Sequence, residues 1–69
     1  METEIINNYK TRMINELIEL VEKIALLGKT VYSDEPKVSK EQKELMKKQL
    51  ECMYGYRAVL TERIYLELQ

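Results

Sequence analysis

Gln49, Tyr56 and Arg63, spaced seven residues apart, form a polar ladder in this 69-residue chain. At about 100° per residue they fall within about 40° of one another on a helix. They run beside an apolar line of Met46, Met53, Leu60 and Ile64. An amide, a phenol and a guanidinium set along a hydrophobic seam suit binding, because together they donate, accept, stack and carry positive charge. Where water is excluded, each rung needs a partner. The ladder is therefore expected to be largely shielded and bonded within itself, to the first helix or to another chain. Glu16 is the natural partner for Arg63 or Gln49.

Catalytic chemistry finds little support. The chain has no histidine, and its Ser, Lys and Asp residues show no nucleophile spacing. Glu16, Glu19, Glu22, Glu41 and Glu44 alternate with lysines and read as solvated helix faces. The single cysteine, Cys52, excludes an intramolecular disulfide and cannot build a structural zinc site. On the border of the apolar face it reads as a small buried hydrophobe. Gly28-Lys29-Thr30 resembles the end of a phosphate-binding loop, but it leaves a helix instead of entering one. The expectation is a protein that is not an enzyme and uses no metal or cofactor.

The aromatic residues say more. Tyr9, Tyr32, Tyr54, Tyr56 and Tyr65 are the only ones, and a tyrosine packs its ring while keeping a polar tip. Tyr54 and Tyr65 lie away from the core line, with Arg57 nearby. A tyrosine beside an arginine can stack a base and hold a phosphate, or can fill an interface between chains.

Two helices must position these groups. Ile6, Tyr9, Met13, Leu17, Leu20, Ile24 and Leu27 recur every three or four residues and predict an amphipathic helix over 3–27. Thr3 is its expected N-cap, and Gly28 a left-handed cap at its end. A second stripe, Ile14, Ile18, Val21 and Ala25, lies about 100° round from the first. One intrachain helix covers one stripe, so the second is expected to be an oligomer interface. Residues 28–38 form the connector, with Val31 and Tyr32 tucked onto the hairpin end. Ser39-Lys-Glu-Gln42 is a capping box that opens a helix over 39–68. Its apolar face runs through Leu45, Met46, Leu50, Met53, Leu60, Ile64 and Leu68, widened on the ladder side by Cys52, Val59 and Leu66. Gly55 inside it costs about 1 kcal/mol relative to alanine; it either allows close approach of another backbone or a ligand, or has no functional meaning.

Composition bounds the rest. Eleven basic and twelve acidic side chains leave a net charge of −1. That disfavours duplex nucleic acid, which is met by a basic face, but allows a small anionic ligand. No stretch approaches the roughly 20 apolar residues of a membrane span. With no leader read at the start, a cytoplasmic location is expected. A single domain over 1–69 buries too little surface to be securely stable alone. The expected fold is all-α: an antiparallel two-helix hairpin assembling into a symmetric helical-bundle homo-oligomer.

Gln49-Leu-Glu-Cys-Met53-Tyr-Gly-Tyr56-Arg-Ala-Val-Leu60-Thr-Glu-Arg63-Ile64 resembles the C-terminal signature of small phage and prophage helical-hairpin proteins. Leu17, Lys23, Ile24 and Leu27 fit the first helix of that family. The connector is shorter than the family's, and its usual aromatic there is matched by Tyr32. The architecture also looks like that of phage sponge proteins, which sequester the cyclic oligonucleotides of bacterial antiphage signalling such as CBASS. The resemblance implies a cyclic di- or trinucleotide held between protomers on aromatic, cationic and hydroxyl groups, with Tyr56 and Arg63 as motif-matched ligand residues and Gln49 beside them. Tyr9 and Arg12 join them because an antiparallel partner brings the first helix's start near the second's end. The alternative is a structural or interaction hairpin that binds a host or phage protein.

Overall fold

The computed structural model describes residues 2–33 and 37–69, with side chains from Tyr9 onward. Its elements are α1 (Glu2–Val31) and α2 (Lys40–Glu67), packed antiparallel as a hairpin of 51 × 20 × 13 Å. The shortest dimension is one helix thick, so each helix is covered along a single edge. Met13, Leu20 and Ile24 of α1 meet Leu50 and Leu60 of α2 in the core, with Leu17, Leu27, Met53 and Ile64 packed against them. Among the described residues Leu60, 1% exposed, is the best buried side chain. Among the described residues, no helix is long and apolar enough to cross a membrane.

Local signals explain the second helix's start. Ser39 is extended (φ −66°, ψ 160°), and its Oγ accepts from the Gln42 amide at 3.1 Å, as an N-cap should. Lys43 Nζ then donates to the Ser33 carbonyl at 2.7 Å, tying α2 back to the end of α1. The last turn closes through the Leu68 amide, which donates to the carbonyls of Ile64 and Tyr65.

The first helix departs from expectation at both ends. Thr3 lies inside it, one residue past its start at Glu2. At the other end α1 runs through Gly28 to Val31, and neither glycine has a positive φ. The physical reason is burial. Val31 sinks into the hairpin end at 5% exposure, and Thr30 Oγ1 donates to the Leu26 carbonyl within the added turn. Keeping the helix for one more turn therefore gains more than a left-handed cap at Gly28. Tyr32, by contrast, points outward, and so do Leu45 and Leu68, which the apolar pattern placed on the core face. Cys52 is exposed too, because a two-helix layer covers too narrow an arc to reach it. Residues 34–36 of the connector, and the side chain of Ile6, lie outside the described residues.

Candidate functional site

The antiparallel packing sets the start of α1 against the end of α2. Arg63 Nη2 donates to Tyr9 Oη at 3.4 Å across 54 residues of sequence. Neither group is buried, so this contact is open to water. The Arg63 guanidinium is held above its ordinary pKa, first by the hydrogen bond and electrostatic attraction to Tyr9, then by the Glu16 and Glu67 carboxylates. Glu16 thus acts on Arg63 through space, and the hydrogen-bonded partner is Tyr9.

Next along the same side lies a groove of about 370 Å³. Tyr56 forms its α2 wall, and Arg12, Asn15, Glu16, Glu19, Leu20 and Lys23 form its α1 wall and floor. Successive positions 12, 16, 19 and 23 step by three or four residues, which puts them on one flank of α1. The flank offers two cations, two carboxylates and an amide facing an aromatic ring that is 47% exposed. A second groove of about 350 Å³ continues from Lys23, lined by Leu26, Leu27, Thr30, Gln49 and Met53. Lys23 belongs to both, so the pair forms one trough along the seam between the helices.

The structure therefore sets Arg12 and Tyr56 in the lining of the first groove and joins Tyr9 to Arg63 across the same two helices. Gln49 lies farther along, in the second groove. In the single chain the ladder is not shielded, since Gln49, Tyr56 and Arg63 are all exposed. The reason is geometric: rungs set to one side of the seam fall beyond the strip that one neighbouring helix covers, although Arg63 does bond to Tyr9 of the first helix. Asn15, Glu19 and Lys23 were not among the expected ligand residues. Their i, i+4 spacing was visible, but an acid–base alternation on a helix reads equally as a solvated face.

The second stripe of α1 is bare, as its lack of an intrachain cover required. Ile14, Ile18, Val21 and Ala25 are all exposed, Ile18 at 53%. It lies about 150° round α1 from the trough flank, so the apolar stripe and the trough do not compete for the same surface. On the remaining flank, Arg57 Cζ stands 5.4 Å from the centroid of the Tyr54 ring, a cation–π pair. Nothing lies within 4 Å of where a Cβ would stand on Gly55, so the close approach inferred for that glycine does not come from its own hairpin.

Among the described residues, the hairpin carries an open polar trough along the seam between its two helices. The chain belongs to the Sequestin family, whose model matches residues 7–66. That span takes in the Tyr9–Arg63 pair and both grooves. No curated protein matches the chain, and no solved structure does.

Proposed function

We propose that this protein is a phage-encoded, non-catalytic sponge that sequesters cyclic oligonucleotide second messengers of bacterial antiphage defence. The observation that carries the reading is the trough: the exposed Tyr56 ring faces Arg12 and Lys23, with Tyr9 joined to Arg63 across the same two helices. A cyclic dinucleotide has two bases to stack and two phosphates to neutralise. Tyr56 supplies a stacking face, and Arg12, Lys23 and Arg63 supply charge-assisted donors for phosphate. Asn15, Glu16 and Glu19 add the acceptors and donors that read base edges. The family name, which speaks of sequestering, agrees with binding without turnover.

The working form is a homo-oligomer, for which Ile14, Ile18, Val21 and Ala25 supply an uncovered apolar face. The same face favours the second reading, an interaction hairpin that offers it to a host or phage protein. Calorimetry against a panel of cyclic di- and trinucleotides, with linear controls, separates the two. Submicromolar binding of at least one cyclic compound, recovered intact after denaturation, is the expected result. No heat from folded, ligand-free protein across the panel leaves the interaction hairpin standing.

A further inference from the structure

We propose that a second copy of this chain docks antiparallel along Leu45, Cys52, Val59 and Leu66 of α2, about a two-fold axis near Gly55. This is a separate surface from the α1 stripe, and it stands whatever ligand the trough takes.

The four residues repeat every seven positions, and all four are exposed: Leu45 and Val59 at 59%, Leu66 at 69%, and Cys52 also open. A strict seven-residue apolar repeat is the seam along which one long helix packs against another. Here that seam has no occupant from its own chain, because α1 covers the neighbouring face of α2.

Three observations select a second copy as the occupant. The stripe is self-complementary: an antiparallel two-fold centred between Cys52 and Val59 sets Leu45 against Leu66 and Cys52 against Val59, so each end finds an apolar match. Gly55 lies at that centre, with open space where a side chain would stand. A crossing helix can come close there, and this answers the approach that its own hairpin does not make. Charge agrees as well. In an antiparallel pair, like flanks face one another, which puts Lys48 beside Glu62 of the second copy, and Glu62 beside its Lys48. In a parallel pair Lys48 would lie beside Gln49 instead.

The arrangement bears on the trough. The polar ladder sits on the other flank of the same stripe. The two-fold therefore sets Tyr56 beside Tyr56 of the second copy, and Gln49 beside its Arg63. A trough that is open in one hairpin gains a second wall, and Tyr56 and Gln49 gain neighbours from the second copy, while Arg63 keeps its bond to Tyr9.

Cys52 makes the test direct. Val59→Cys places a second thiol opposite it across the proposed axis. Within one helix the two positions are about 10 Å apart, too far for a disulfide. Mild oxidation should convert Val59→Cys to a closed covalent dimer of twice the 8.2 kDa chain, while the parent protein, with Cys52 alone, stays uncrosslinked. Val59→Glu should at least halve the mass seen by light scattering, with helicity by circular dichroism unchanged because the position is exposed. The proposal is overturned if Val59→Cys crosslinks no better than the parent, if the parent itself dimerises through Cys52, if the product is an open ladder of chains, or if Val59→Glu leaves the mass unaltered.

Discussion

Arg63 shows how exposure changes the meaning of a contact. A guanidinium sealed in a core beside a carboxylate would be costly to disturb. In this hairpin Arg63 instead reaches a tyrosine hydroxyl in a contact open to water. Tyr9→Phe should therefore leave the thermal midpoint unchanged while freeing Arg63, and scanning calorimetry of the two proteins checks this. Tyr56 carries the sharper expectation. If its ring stacks on a base, Tyr56→Ala weakens cyclic-oligonucleotide binding by about 1–3 kcal/mol without altering the fold, because the side chain is already half exposed. A titration of the variant against the same panel reads that loss. An equal loss with linear controls would mean that the ring does not read the cyclic form.

The helices respond to substitution as their packing dictates. Gly28 sits in a helix with ordinary φ, and a Cβ there would meet Leu50 Cδ2 at 3.9 Å, a normal contact. Gly28→Ala should thus stabilise the hairpin by about 0.5–1 kcal/mol, through the glycine's lost backbone entropy. A left-handed cap would have made the same change destabilising, so the sign of the shift in chemical denaturation decides between the two conformations. Ser39→Ala removes the acceptor for the Gln42 amide and should cost about 1 kcal/mol. Leu60→Ala should cost most, about 2–5 kcal/mol, because that side chain fills the centre of the seam.

The molecule as a whole presents two bare apolar stripes on different sides. One runs along α1 through Ile14, Ile18, Val21 and Ala25, and the other along α2 through Leu45, Cys52, Val59 and Leu66. Leaving large apolar side chains in water forfeits about 1.5–3 kcal/mol each, which a hairpin this thin can ill spare. Ile18→Glu should therefore dissociate the proposed oligomer and lower the thermal midpoint together, with the variant's midpoint no longer dependent on concentration. Light scattering and melting curves at several concentrations measure both. A cooperatively folded monomer of 8.2 kDa in the parent protein at micromolar concentration would remove the basis for this expectation.

Apolar periodicity determined the two helices, the lines from which the core of Met13, Leu20, Ile24, Leu50 and Leu60 is drawn, and the uncovered stripe on α1, while the capping box determined the N-cap at Ser39. Each of these depends on geometry local to one helix, which sequence spacing encodes directly. Tertiary structure alone decided how far α1 runs past Gly28, because burying Val31 against the far element outweighs a local preference. It also decided the axial offset that brings Tyr9 to Arg63. Offset depends on the summed fit of all side chains along both helices, and no single spacing records it. The ladder's exposure was decided in the same way. Gln49, Tyr56 and Arg63 stand beside the seam by sequence, but whether they are covered depends on the width of what packs there, and one helix is too narrow.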